Sequence, residues 1–173
     1  MKSHFKPLAA AALLATSPLA FAQQAPMDYV SAQFALGMIE DLDDPFTLVL
    51  TAGKQLPNVV RGFAVEAEFT DSINAAEERD VSLSYWTLGG YGVMSFPLND
   101  RLTARARAGL RLLKAYANGR DEDDVGLSFG AGVAYRYATN LSFVGEFTYL
   151  GEIDADGDDI GLNHLSAGVQ LHF

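Results

Sequence analysis

Between residues 28 and 173 apolar side chains recur at every second position, and polar turns interrupt the pattern at intervals. Period-two alternation belongs to extended strands whose two faces meet different surroundings. The first segment, 29–39, sets Val30, Ala32, Phe34, Leu36 and Met38 against Tyr29, Ser31, Gln33, Ala35 and Gly37. The clearest segment, 102–114, sets Leu102, Ala104, Ala106, Ala108, Leu110 and Leu112 against Thr103, Arg105, Arg107, Gly109 and Arg111. Further strands are expected at 46–54, 62–71, 81–96, 125–137, 141–150 and 162–173. Roughly ten residues per strand is what a tilted strand needs to cross a bilayer, ~9–11. An even strand count closes an up-and-down barrel and removes its edges. The expected fold is all-β, an eight-stranded antiparallel up-and-down transmembrane β-barrel. Only 81–96 has an ambiguous register, where Gly89, Gly90 and Gly92 suggest a bulge or tight bend.

The N-terminus carries a different pattern. Lys2 and Lys6 precede the apolar run Leu8 to Leu14, and Ala20-Phe21-Ala22 is a small-x-small cleavage site. Residues 1–22 therefore read as a cleaved signal peptide. A short periplasmic segment, 23–27, and a barrel domain, 28–173, follow. With Lys2 and Lys6 gone, ten basic residues face 22 acidic ones, a net charge of −12. So acidic a chain is a poor nucleic-acid binder. It has no cysteine, which excludes disulfides, thiolate metal sites and a cysteine nucleophile. Hydrophobic residues make up 49% of the sequence, yet no later run reaches the ~18 apolar residues of a membrane helix. Alternation is where that hydrophobicity is placed.

Alternation alone does not say which face points inward. A soluble periplasmic barrel of the lipocalin type, binding a small apolar ligand, would hide its apolar face, and a membrane barrel hides its polar one. After residue 22 the only lysines are Lys54 and Lys114, and the polar face is mostly Gly, Ala, Ser and Thr. Small residues suit the narrow lumen of eight strands. The charges on that face are of both signs: Glu66, Glu68 and Glu146 against Arg105, Arg107, Arg111 and Arg136. A lumen network of paired charges is expected, since buried charge is tolerated only when paired and arginine grips carboxylates well. Connections at 40–45, 71–80, 115–124 and 151–161 are mostly longer than those at 54–61, 97–101 and 138–140, as extracellular loops are. The longer set carries 17 of the 22 acidic residues. Phe46, Phe69, Phe96, Tyr135, Tyr137, Tyr149 and Phe173 fall near strand ends, where membrane interfaces collect rings.

The final segment, Leu165-Ser166-Ala167-Gly168-Val169-Gln170-Leu171-His172-Phe173, and the turn Ser95-Phe96-Pro97-Leu98-Asn99-Asp100-Arg101-Leu102 carry a family resemblance. The chain resembles the small outer-membrane β-barrel proteins of the OmpX, OmpA-barrel and opacity-protein type, a porin family of the Gram-negative cell envelope, over nearly all of 27–173. That resemblance implies outer-membrane localisation and a terminal Phe173 that serves as a signal to the barrel-assembly machinery. It also implies contact with outer-membrane lipid and lipopolysaccharide. The family includes adhesins, structural barrels and a few enzymes, so fold does not fix function.

His164-Leu165-Ser166 matches the His-x-Ser spacing of outer-membrane lipid A deacylases, and i and i+2 share a strand face. No acidic residue follows Ser166 to orient the base. Asp154-Ala155-Asp156-Gly157-Asp158-Asp159 has the look of a calcium loop without its twelfth-position Glu. His164 and His172 lie eight residues apart on one strand, too far to share a metal. The Gly89-Gly90-x-Gly92 stretch lacks the strand–turn–helix context of a nucleotide loop. No catalytic residue, cofactor or metal ligand is therefore assigned. The expectation is a monomeric, non-enzymatic outer-membrane barrel with acidic outer loops, a structural or surface-interaction role and no nucleic-acid partner. A lipid A-modifying enzyme is the third reading, after the soluble ligand-binding barrel.

Overall fold

Valine, phenylalanine and threonine recur through the alternating segments, and such β-branched and aromatic side chains fit a pleated surface with a filled face. The computed structural model describes residues 29–39, 45–73, 76–78, 81–117, 120–155 and 158–173. The expected signal peptide and the 23–27 segment lie outside them. The strands are β1 (Tyr29–Ile39), β2 (Phe46–Gln55), β3 (Phe63–Ser72), β4 (Ala76–Glu78), β5 (Val81–Pro97), β6 (Leu102–Ala117), β7 (Arg120–Ala138), β8 (Leu141–Ala155) and β9 (Asp158–His172). Every pairing is antiparallel, and neighbours in sequence are neighbours in the sheet except β3 and β4. Pairing of β1 with β9 and of β3 with β5 closes the ring. The three-residue β4 lies beyond β3 against the start of β5, so eight staves form the wall.

The burial pattern says which face is outside. On β1, Tyr29, Ser31, Gln33 and Ala35 are buried, whereas Phe34, Leu36 and Met38 are exposed. The same holds on β9, where His164, Ser166 and Gln170 point in and Leu165, Val169 and Leu171 point out. Phe34, at 62% exposure, and Leu110, at 59%, sit at outward positions flanked by other outward apolar residues. A soluble barrel would hide these side chains. A bilayer solvates them, and closure satisfies the backbone groups that lipid cannot.

Three expectations change. First, β5 carries no bulge at its glycines; its ladder runs unbroken from Asp71↔Trp86 to Phe63↔Met94 on one side and from Leu83↔Ala117 to Pro97↔Thr103 on the other. The register shifts lie instead between Arg136 and Ala138 and between Tyr149 and Gly151, where Gly151 takes φ +102°. Second, much of 115–124 and 151–161 is strand, since β6 and β7 pair out to Ala117↔Arg120 and β8 and β9 to Ala155↔Asp158. The residues between those pairs are Asn118-Gly119 and Asp156-Gly157 in sequence, dipeptides that favour two-residue hairpin connections. Asp121, Glu122, Asp123, Asp124, Glu152, Asp154, Asp158 and Asp159 thus belong to strands of projecting hairpins. Third, Tyr149 is not near a strand end, because β8 continues to Ala155.

The opposite end has short turns. Asn99 Oδ1 accepts from the backbone N–H groups of Arg101 and Leu102 at 2.9 and 2.8 Å, an Asx turn that joins β5 to β6. Gly62, at φ +83°, accepts at its carbonyl from Ser95 N–H and immediately precedes β3. An arginine placed in the outer belt should be costly. Leu110→Arg is expected to destabilise the barrel by about 2–4 kcal/mol, as for a cation near the bilayer mid-plane, measured by urea unfolding in phospholipid vesicles.

Candidate functional site

The lumen is built on a size rule that runs between neighbouring strands. Each inward arginine of β6 is paired across to a glycine of β7: Arg105↔Gly132, Arg107↔Gly130 and Arg111↔Gly126. Two inward tyrosines follow the same rule, Tyr29↔Gly53 and Tyr91↔Gly109, while Tyr85 faces Ala115. A Cβ at Gly53 would lie 2.2 Å from the Tyr29 ring, and one at Gly130 would lie 2.8 Å from Arg107 Nε. Glycine opposite a long side chain lets that side chain cross the narrow lumen instead of running along the wall.

That arrangement brings two arginines to three glutamates. Arg105 binds Glu66 through Nη2 and donates from Nη1 to Gln170 Oε1 at 2.8 Å. Tyr29 donates its hydroxyl to the same Glu66 Oε1 at 2.6 Å. Arg107 binds Glu68 through Nη1, stands 3.7 Å from Glu66 Oε2, and donates from Nη2 to Thr148 Oγ1 at 2.9 Å. Its Nε lies 2.7 Å from Glu146 Oε1, but off the N–H axis, so this is a charge contact and not an aligned hydrogen bond. The Arg107 guanidinium also lies 4.3 Å from the centre of the Tyr91 ring. Side-chain exposure across this group is 8% or less, so solvent screens it little.

Two expected members stand elsewhere. Arg111 is wholly buried but meets Asp124 at 3.3 Å, not the glutamates. It sits on β6 above Arg107, one inward position below Leu113. Arg136 is exposed at the short-turn end and forms none of the ion pairs found among the described residues. It shares the inward register of Ser142 but lies at the barrel mouth, where β7 shifts register.

Sequence reading missed the groups that complete the lumen. Tyr29, Tyr91, Thr148 and Gln170 supply hydrogen bonds, and all four lie on the polar parity of their strands. Above Arg111 the buried Tyr85, Leu113, Ala115, Leu150 and Leu162 form an apolar cluster. Leu113 continues the inward run of Arg105, Arg107 and Arg111, so its position was legible. No hydrogen bond joins the His-x-Ser pair. Ser166 donates its hydroxyl to Gln33 Oε1 and to the Glu146 carbonyl, at 3.0 and 3.2 Å, while His164 is wholly buried in the lumen. The side chains of 152–160, which hold the calcium-like stretch, lie outside the described set. Phe173 is 64% exposed at the end of the chain described.

A closed ring with lipid-compatible residues outside and charges inside agrees with the family comparison. The model of the outer membrane protein beta-barrel domain matches residues 7–173. The chain belongs to that family. Its location is the outer membrane. Similar solved structures include Neisserial surface protein A, at 18% identity and a TM-score of 0.66, covering 86% of this chain and 98% of that one. The N-terminal β-barrel domain of Pseudomonas aeruginosa OprF is similar at 12% identity and a TM-score of 0.58, covering 85% and 98%. The attachment invasion locus protein Ail of Yersinia pestis is similar at 17% identity and a TM-score of 0.50, covering 83% and 95%. At such identities the likeness concerns the fold. No curated protein sequence matches the chain.

For an outer-membrane barrel with this lumen, removing one partner should hurt more than removing both. Arg107→Ala strands Glu68 and Glu146 and is expected to cost about 3–5 kcal/mol. The Arg107→Met/Glu68→Met double variant should recover part of that loss, as read by denaturant unfolding of both proteins. Gly130→Val should cost about 1–3 kcal/mol by overpacking against Arg107, with Gly90→Val, where an added Cβ meets open space, as the milder comparison.

Proposed function

We propose that this outer-membrane barrel is non-enzymatic and works as a structural and surface-interaction protein. The observation that carries this reading is the filled lumen. Charged pairs occupy its middle, and the cluster of Tyr85, Leu113, Leu150 and Leu162 lies above them. An eight-stranded barrel so filled has little room for a porin channel or an interior ligand. The soluble lipocalin-like alternative is not favoured, because the apolar face is the outer one.

Contacts with other molecules then fall to the projecting β6–β7 and β8–β9 hairpins. These carry Asp121, Glu122, Asp123, Asp124, Glu152, Asp154, Asp158 and Asp159. Their proposed partners are lipopolysaccharide or external molecules. The lumen residues Glu66, Glu68, Glu146, Arg105 and Arg107 serve to hold the wall in register, and Arg111 with Asp124 ties the lumen to the hairpin base. Residues 1–22 serve as the export signal, and Phe173 as the assembly signal. The barrel acts as a monomer, without cofactor or metal.

Protein in washed outer membranes should run faster unboiled than boiled on a denaturing gel, as a detergent-resistant barrel does. In planar bilayers it should give no steady porin-sized conductance; a stable large open level would overturn the filled-lumen reading. Lipid A from cells that overproduce the protein should match lipid A from cells that overproduce Ser166→Ala, by mass spectrometry. A modification lost only in the variant would restore the enzyme.

A further inference from the structure

The two rims of the barrel carry opposite charge. At the short-turn end the exposed Lys54, Arg61, Arg101 and Arg136 face a single described acidic side chain, Asp100. At the hairpin end Lys114 is paired with Asp123 at 3.2 Å, among the acidic residues of β7. Short turns face the periplasm in bacterial barrels, so the cationic rim meets the inner leaflet.

Within that rim the backbone fixes the turn that carries Arg101. Arg136 N–H donates to the Arg101 carbonyl at 2.7 Å, which ties the β5–β6 turn to β7. The same turn is fixed by the two bonds to Asn99. Arg101 Nη1 then donates to the Tyr135 hydroxyl at 3.4 Å. Tyr135 is one of a ring of exposed aromatics at this end, with Phe96, Tyr137, Phe143 and Phe173. Such rings sit at the headgroup level. The arrangement therefore holds cations at the depth of lipid phosphates, next to rings that stand in the acyl boundary. Arginine suits a phosphodiester because its planar fork matches the oxygens.

We propose that Arg101, with Tyr135, forms a binding site for the headgroup of an anionic phospholipid of the inner leaflet, supported by the wider positive rim of Lys54, Arg61 and Arg136. A soluble acidic partner would explain the charge but not the exposed rings at the same level. The proposal rests on the membrane-spanning reading, which the gel-mobility shift tests separately from lipid choice.

The test uses the intact barrel folded in nanodiscs of equal phosphatidylglycerol and phosphatidylcholine, with retained lipids counted by native mass spectrometry. Phosphatidylglycerol should be retained in preference to phosphatidylcholine. Arg101→Gln should lower that preference roughly fivefold, the effect of one cation at an anionic surface. Arg101→Gln/Arg136→Gln should lower it further, and Lys114→Gln, at the other rim, should leave it unchanged. Equal retention by the unaltered protein, or an unchanged ratio in a double variant that still shows the mobility shift, would overturn the site. If the double variant does not fold, salt decides on the unaltered protein. High ionic strength should collapse the preference, and a preference indifferent to salt would refute an electrostatic site.

Discussion

Lipid offers a peptide group nothing to bond with, and the rest of this structure depends on that constraint. Every N–H and C=O at membrane depth must find a partner within the protein, so the sheet has to close on itself. The β1–β9 and β3–β5 ladders do this. Once the ring is closed, the pleat assigns alternate side chains to lipid and to lumen, and the composition of each face follows. The outer face takes Phe34, Leu88, Leu110 and Phe147, which the acyl chains solvate. The inner face is left with a narrow column in which water is scarce and charge must be neutralised by charge.

Closure makes lumen width the next quantity to be managed. Arg105, Arg107, Arg111, Tyr29 and Tyr91 are long relative to the column, and they fit because the adjoining strand offers glycine at the paired position. The three glycines of β7 form a trough along which the arginines of β6 leave the wall. Arg107 can therefore reach Glu68 on β3 and Glu146 on β8 from one position. The network links staves far apart in sequence, and its members are nearly free of solvent. Its energy lies less in the pairs themselves than in the penalty for separating them, since a buried charge without its partner is costly. That is a device for specifying register. A slip of one residue would turn each of these charges toward lipid.

Strand count, strand direction and the inward face were legible in the sequence because period two is a strong signal when one face is uniformly apolar. Arg105, Arg107, Glu66, Glu68 and Glu146 were legible as one lumen set by parity and sign. Their pairing was not, because which Glu meets which Arg depends on the stagger of the closed ring and not on spacing along any strand. Arg111 and Arg136 share parity with Arg105, and parity carries no height. One ended against Asp124 and the other at the mouth. The hairpin lengths were misjudged for a local reason. Runs of acidic residues read as loop, while the Asn-Gly and Asp-Gly dipeptides that mark tight connections carried the better signal. The glycines of β5 suggested a break, yet Gly89 makes room for the Tyr91 side chain in a straight strand.

The register shift at Gly151 has a consequence for the outer surface. The described β7–β8 ladder ends at Phe129↔Tyr149, above which β7 stays with β6 and β8 with β9. The wall is thus a continuous cylinder in the bilayer and a slit collar above it. Across that slit the two blades share no described ladder hydrogen bonds. Leu113 and Ala115 of one blade pack with Leu150 and Leu162 of the other, so the blades are joined at their bases and independent in backbone pairing only toward their tips. The part of the molecule that meets the outside world is thus joined to the closed wall by side chains, through Arg111 with Asp124 and the buried cluster around Leu113, and not by a β7–β8 ladder.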